Sequence, residues 1–157
     1  DMAYFSFADK YFASEPIRIF NNGDFEHDLY RDFTYIDDVV EGLVRLLASS
    51  TGKVYGPVPG TKELTYSAAA HKVYNIGNNS PEKLMDFIIA LEKALSSALG
   101  REVVFEKIFE PMKPGDVPAT YASTDMLNKA VGFKPETSIQ EGLNKFAQWY
   151  VEYYGVR

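Results

Sequence analysis

Apolar residues along the chain follow two spacings, one typical of helices and one typical of strands. Helical spacing predicts helices over about Val39–Leu47, Ser80–Leu99 and Ser138–Tyr154. Two short helices are also predicted: a rather buried one from Met2 to about Ala13, which is apolar on several sides, and one that Ser123 or Thr124 caps and Gly132 ends. Short β-branched and aromatic runs predict strands at Ile17–Phe20, Arg31–Ile36, Lys72–Gly77 and Val103–Ile108. Because strands alternate with helices, the pattern predicts an α/β fold.

The predicted helix ends carry the residues that such ends favour. Ser80 precedes Pro81 at a first helical position, and Ser138 forms a capping box with Glu141. Helices are expected to stop where a glycine follows the apolar run, at Gly100, Gly132 and Gly155. Residues 49–71 are rich in Ser, Thr, Gly and Pro and predict the longest loop.

Composition narrows the class of protein. Of the 157 residues, 46% are apolar and 15% are aromatic, which favours a packed core over disorder. The formal net charge of -6 leaves no broad basic face, so neither nucleic acid nor an anionic membrane is an expected partner. The chain has no cysteine, which excludes a disulfide scaffold and a thiol nucleophile and fits a cytoplasmic protein.

The sequence contains no complete catalytic constellation. It has no glycine-rich GxGxxG turn, no Walker A sequence and no tyrosine followed four positions later by a lysine. His27 and His71 lack the spacing of metal ligands or of a catalytic triad. Adjacent Asp37 and Asp38 precede a predicted helix, where capping explains them better than acid–base catalysis. We therefore expect no catalytic residue and no metal site in this chain.

Five segments stand out in chain order: Phe20–Asp24, Arg31–Gly42, Val73–Pro81, Pro111–Val117 and Gly132–Ser138. Together they resemble the extended short-chain dehydrogenase/reductase superfamily, and most closely its UDP-glucuronate 4-epimerases. Each segment is a weak signal by itself. The ordered set is specific, and it spans nearly the whole chain.

The resemblance implies that residues 1–157 form one nucleotide-sugar-binding domain, the C-terminal part of a longer Rossmann-type enzyme. In such enzymes an N-terminal domain carries the glycine-rich NAD turn and the Tyr-x-x-x-Lys pair. We therefore expect NAD in the full-length parent, none on this inactive fragment, and a missing N-terminal NAD-binding domain as its partner. The start at Asp1 agrees with a fragment, although a processed or tagged terminus also explains it. The family further implies a homodimeric parent.

The reaction implied by the resemblance is inversion at C4 of a UDP-uronic acid, converting UDP-glucuronate to UDP-galacturonate. Hydride passes from C4 to NAD, the 4-keto sugar rotates, and hydride returns to the other face. Related UDP-sugar decarboxylases, neutral-sugar epimerases and dehydratases share the same second domain, so they remain alternatives. A free-standing α/β binding domain without catalysis is the alternative from another class.

Two residues match family positions that bind the UDP moiety through charge. Arg31 matches an arginine that approaches the diphosphate, and a guanidinium suits phosphate oxygens. The alternative is a surface arginine paired with Asp32 or Asp28. Asp116 matches an acidic residue that accepts ribose hydroxyls, or else it serves only to form the turn after Gly115.

Two further residues match the UDP-binding positions less closely. Lys113 lies where relatives often have Gln or Arg, and an ammonium can still pair with phosphate as a point charge. Phe20 ends a strand that relatives place beside the uracil, or it belongs to the core. The segment from Phe25 to Tyr30 is longer than in many relatives, so we expect it to reshape the rim of the nucleotide pocket.

Overall fold

The computed structural model describes residues 2–21, 23–24, 28–50 and 72–157. In chain order its elements are α1 (Ala3–Phe12), β1 (Ile17–Ile19), β2 (Tyr30–Arg31), α2 (Ile36–Ser50), β3 (Glu82–Lys83), α3 (Leu84–Leu99), β4 (Lys107–Phe109), β5 (Ala119–Thr120), α4 (Asp125–Val131) and α5 (Ile139–Tyr154). The predicted α/β class is confirmed. Contacts divide the chain into a first unit, from Asp1–Arg31, Pro81–Thr120 and Ser138–Arg157, and a second unit, from Asp32–Ser80 and Tyr121–Thr137.

The core of the first unit is formed mainly by α3 and α5. The apolar stripe of α3 is fully buried at Phe87, Ile88, Leu91 and Leu95, because helical spacing places these residues on one face. On α5 the buried residues are Leu143, Ala147 and Tyr150. Burying a leucine or phenylalanine side chain stabilises a fold by roughly 1.5–3 kcal/mol, so this helix pair supplies most of the unit's packing.

A buried tyrosine joins α5 to α1. Tyr150 is only 3% exposed, and its hydroxyl donates a hydrogen bond to Asp9 Oδ1 at 2.5 Å. Burial raises the pKa of Tyr150, and the hydrogen bond and the negative charge of Asp9 raise it further. The phenol therefore stays protonated where an exposed tyrosine would ionise.

Two small sheets complete the first unit. β1 pairs with β4 in parallel, with Ile19 opposite Phe109, while β2 lies between antiparallel β3 and parallel β5. The predicted strand at Arg31–Ile36 is wrong beyond its first residue, because pairing stops at Arg31 and Ile36 already begins α2.

The predicted strand at Val103–Ile108 is only partly confirmed, because β4 begins at Lys107. Its first half follows α3 without joining a sheet. The N–H of Val103 donates to Ser96 Oγ at 2.9 Å, and the N–H of Phe105 donates to Glu92 Oε1 at 2.7 Å. Side chains of α3 thus take the hydrogen bonds that a neighbouring strand would otherwise provide.

The second unit is organised around α2 and α4. Arg45 of α2 donates to Gly132 O at 3.4 Å and lies over the ring of Phe133, 4.9 Å from its centroid. Asp38 lies in the first turn of α2, but its carboxylate accepts the N–H of Thr137 at 3.0 Å instead of capping its own helix. The strand predicted at Lys72–Gly77 is not formed over residues 73–77 of the described chain.

A single carboxylate holds the turn that follows residue 77. Asp32 Oδ2 accepts the N–H of Asn79 at 3.0 Å, and Asp32 Oδ1 accepts that of Ser80 at 3.4 Å. A Cβ at Gly77 would lie 3.0 Å from Asp32 Oδ2. Glycine at this position allows the carboxylate to approach closely, and a side chain there would force Asp32 to shift by a few tenths of an ångström.

The predicted helix ends are confirmed in most cases. Ser138 Oγ accepts the N–H of Glu141, and left-handed glycines end three helices, at Gly100, Gly132 and Gly155. The predicted start of α3 at Ser80 and Pro81 is wrong, because Glu82–Lys83 first pair with β2. In the part of the chain that the structure describes, no helix is long and apolar enough to cross a bilayer.

Candidate functional site

All four residues predicted to bind UDP belong to the first unit: Phe20, Arg31, Lys113 and Asp116. Two of them touch. The ammonium of Lys113 lies over the ring of Phe20, 4.1 Å from its centroid, in a cation–π contact. This contact follows from the parallel pairing of β1 and β4, which brings together the segments that follow the two strands. Glu110 N donates to Ile19 O at 2.8 Å and extends the pairing into these segments.

Arg31 ends β2 and is half-buried. Its Nη1 donates to the carbonyl of Tyr30 at 2.8 Å, and it forms no ion pair among the described residues. The surface pairing that the sequence allowed is not formed, because the Asp28 and Asp32 carboxylates accept hydrogen bonds from other groups. The guanidinium charge is thus not neutralised within the described chain and suits an anionic ligand.

Asp116 closes a tight turn in the loop between β4 and β5. Its N–H donates to Lys113 O at 3.1 Å, and Gly115 before it has a φ of 93°, where glycine is favoured. The carboxylate of Asp116 is exposed. It accepts no hydrogen bond from the described residues, so the turn uses the backbone of Asp116 and leaves its side chain available.

The loop from residue 110 to residue 118 connects the two sheets of the first unit. It begins where Glu110 bonds to β1 and ends where Pro118 O accepts the N–H of Tyr30 at 2.8 Å. The same loop carries Lys113 and Asp116 between these two anchors. Phe20 and Lys113 make a side-chain contact, and Lys113 and Asp116 share a backbone hydrogen bond. Arg31 lies on the strand beside the other end of the loop.

Sequence reasoning missed two buried polar residues beside this site. Asn21 is 3% exposed and Asp28 is 4% exposed. Asn21 Nδ2 donates to Asp28 Oδ1 at 3.2 Å. From the sequence, Asn21 is placed only within the segment Phe20–Asp24, and Asp28 is considered only as a surface partner of Arg31. An Asp in a polar segment gives no periodic signal of burial, so only the burial in the structure identifies it.

The described residues hold no group of three or more potential metal ligands. Their glycines also do not form a pyrophosphate cradle. Gly100, Gly132 and Gly155 end helices, and Gly23 and Gly115 lie in turns. Binding a dinucleotide requires a glycine-rich turn at the start of a helix, so these residues do not fit NAD.

Comparison with known proteins gives relatives along nearly the whole chain. Protein CapI of Staphylococcus aureus is 45% identical over 98% of this chain and 43% of its own length. The probable UDP-glucuronate 4-epimerase of Rhizobium meliloti (strain 1021) is 40% identical over 98% of this chain and 42% of its own length. No family model matches the chain.

A solved structure agrees with these sequence relatives. UDP-glucuronic acid 4-epimerase from Bacillus cereus, in complex with UDP-glucuronic acid and NAD, superposes with a TM-score of 0.66 and 25% identity. The match covers 98% of this chain and 40% of that one. This chain therefore spans about two fifths of the length of the proteins that it resembles.

Proposed function

Because this chain is homologous over nearly its whole length to part of the UDP-glucuronate 4-epimerases, which are extended short-chain dehydrogenase/reductases, we propose that it is the UDP-sugar-binding part of such an enzyme. The full-length parent would be an NAD-dependent isomerase of the cytoplasm that converts UDP-glucuronate to UDP-galacturonate. The observation that carries the proposal is 40% identity over 98% of the chain to a probable UDP-glucuronate 4-epimerase. The absence of cysteine is in keeping with a reducing compartment.

Arg31 is the group best suited to the diphosphate. Its charge has no carboxylate partner among the described residues, and β2 holds its backbone. A hydrogen bond to a charged group contributes about 1.5–3 kcal/mol. Arg31 therefore supplies the main electrostatic contact, and Lys113 supplies a second, weaker positive charge.

Phe20 and Asp116 complete the proposed UDP contacts. Phe20 is half-buried and presents a ring face that Lys113 covers in this structure. Movement of the exposed Lys113 side chain toward phosphate would uncover the ring for the base. The exposed carboxylate of Asp116 can accept hydrogen bonds from ribose hydroxyls.

These contacts position the substrate by its nucleotide and leave the sugar ring unrestrained. Binding energy from a remote, unreacting part of a substrate can orient the reacting carbon. NAD, when bound to the parent, supplies the hydride chemistry at C4. The described residues do not fit NAD, so we assign NAD and the catalytic groups to the rest of the parent.

We further propose that the NAD-binding part of the parent covers one face of α2. Large apolar side chains are exposed on the second unit, with exposed fractions of 48% to 61% at Ile36, Val40, Leu43, Val44 and Val73. Four of them lie on one face of α2 by helical spacing, and exposed apolar side chains grouped in this way usually mark an interface. The relatives are more than twice as long as this chain, which supports an intramolecular partner. A homodimeric parent remains part of the proposal.

The proposed activity is tested by supplying UDP-glucuronate to the purified full-length protein and to the isolated chain, each with NAD. UDP-galacturonate should form with the full-length protein and not with the isolated chain. Release of CO₂ would show a decarboxylase in place of an epimerase. Turnover by the isolated chain would show that catalytic groups lie within these 157 residues, contrary to the proposal.

A further inference from the structure

Asp28 is a buried carboxylate whose hydrogen bonds come from uncharged groups. Its Oδ1 accepts from Asn21 Nδ2 at 3.2 Å and from Leu29 N at 2.8 Å, and its Oδ2 accepts from Met85 N at 2.9 Å. Burying a carboxylate without partners is costly. Three donors and the positive end of a helix dipole offset that cost, so each donor is held firmly in place.

Asn21 forms the second half of this arrangement. Its Oδ1 accepts the N–H of Gly23 at 3.0 Å, and its carbonyl accepts the N–H of Asp24 at 2.9 Å. Asn21 therefore makes the turn after β1 while its side-chain amide donates to Asp28. Phe20, a proposed contact of the UDP base, is its immediate neighbour in the chain.

The third anchor of the carboxylate is the start of α3. The N-cap residue Lys83 makes no side-chain hydrogen bond to the helix. In its place, Leu84 N donates to Leu29 O at 2.8 Å and Met85 N donates to Asp28. Because α3 buries its apolar stripe in the core, its first turn provides a rigid anchor for Asp28 and Leu29.

We propose that Asp28 is a positioning residue for the UDP site, acting with Asn21 as a clamp. This Asn21–Asp28 clamp fixes two segments to the same helix end: the one that follows β1 and contains Phe20, and the one that leads into β2 and its Arg31. Two ligand-binding segments that belong to different sheets thereby keep a constant spacing. The inference rests on the proposed function, and Asp28 itself does not touch the ligand.

The variant Asp28→Asn in the full-length protein tests the clamp. It replaces one carboxylate oxygen, which accepts a hydrogen bond, with an NH2 group, which then faces an N–H donor. We expect the dissociation constant for UDP, measured by calorimetry, to rise about tenfold, since small misplacements of binding groups are costly. The KM for UDP-glucuronate should rise with it while kcat stays within about twofold, because the change affects UDP binding and not the reacting carbon.

The double variant Asn21→Asp, Asp28→Asn exchanges donor and acceptor between the two side chains. The N–H of Leu29 or of Met85 still faces the new amide group, so we expect at most a partial recovery of the affinity for UDP. Asn21→Ala, which keeps two of the three donors to Asp28, gives a milder test with an expected loss of about threefold. Ser96→Ala is the matched control. It removes a partly buried hydrogen bond that Ser96, on the same helix as Met85, accepts from the N–H of Val103. Ser96 lies about 16 Å from Met85 at 1.5 Å per residue.

The outcomes separate the clamp from the proposed function. Lower stability in both Asp28→Asn and Ser96→Ala, with unchanged UDP affinity in both, would show that Asp28 only holds the fold and would overturn the inference. Loss of UDP affinity in Arg31→Ala but not in Asp28→Asn would reject the clamp alone. If Arg31→Ala binds UDP as well as the wild type, the proposed UDP site is wrong and the clamp is rejected with it.

Discussion

Helices α2 and α3 are both amphipathic, but only α3 buries its apolar residues. Leu91 of α3 is fully buried in the first unit, whereas Leu43 of α2 is 48% exposed in the second. Both leucines lie in runs whose spacing predicts a buried face. Periodicity therefore predicts which side of a helix is apolar, but it does not show whether the partner of that side lies in the same chain.

The largest expected effect comes from truncating one leucine on each helix. Leu91→Ala should lower the free energy of unfolding of the isolated chain by about 2–5 kcal/mol, because it leaves a cavity in a packed core. Leu43→Ala should change it by about 0.5 kcal/mol, as surface substitutions do. Urea unfolding followed by circular dichroism measures both.

The same two leucine variants also compare α2 with α3 in the full-length protein. If the NAD-binding part covers α2, Leu43→Ala should cost more there than in the isolated chain, while the cost of Leu91→Ala stays similar. Equal costs for the two leucines in the isolated chain would mean that the second unit already buries its apolar face.

Ligand binding should also differ between the units, because the proposed UDP contacts all belong to the first. In the full-length protein, Arg31→Ala should weaken UDP binding on the order of ten- to a hundredfold, the equivalent of about 1.5–3 kcal/mol. Uridine lacks phosphate, so its binding should barely change. Calorimetric titration of both ligands is the measurement.

Arg45→Ala in the second unit is the matched control, since Arg45 bonds to Glu41 and Gly132 there. It should leave UDP affinity unchanged. An equal loss of uridine and UDP affinity in Arg31→Ala would assign Arg31 to the fold or to the base, and the phosphate role would then be dropped.

Alkaline pH tests the hydrogen bond between the buried Tyr150 and the exposed Asp9 in the first unit. Tyr150 has a raised pKa when folded, and an unfolded tyrosine ionises near pH 10. The stabilisation from Tyr150 is therefore complete below about pH 10 and falls as the pH rises toward the folded pKa, by up to ~1.4 kcal/mol per pH unit. The difference in unfolding free energy between wild type and Tyr150→Phe should shrink from pH 9 to pH 11, and a constant difference would contradict the assignment.

The smallest expected effect is at Lys113. Lys113→Ala should weaken UDP binding about threefold, because an exposed ammonium gives a weaker phosphate contact than the guanidinium fork. Removing the cation also frees the ring of Phe20, which reduces the loss. Titration with UDP measures the change, and a loss as large as that of Arg31→Ala would make Lys113 the main phosphate anchor.

Local signals predicted the helices well because their causes lie within a few residues. The Ser138 cap and the glycine ends at Gly100, Gly132 and Gly155 formed as predicted, although the Glu141 side chain pairs with Lys145 instead of completing a capping box. The strand predictions were weaker, because a strand requires a partner elsewhere in the chain. Residues 103–106 show this, since α3 side chains bind their N–H groups where a strand was expected.

The sequence by itself determined the apolar faces of the helices and most of their ends. It also contains an ordered set of motifs that resembles the UDP-glucuronate 4-epimerases and suggests the candidates Phe20, Arg31, Lys113 and Asp116. Only the tertiary structure decided that Asp28 is buried beneath the site, that Lys113 covers Phe20, and that the apolar face of α2 stays exposed. The physical reason is the sequence distance between the interacting residues. Caps and helical faces depend on neighbours within a turn or two, whereas these three features depend on residues far apart in the chain.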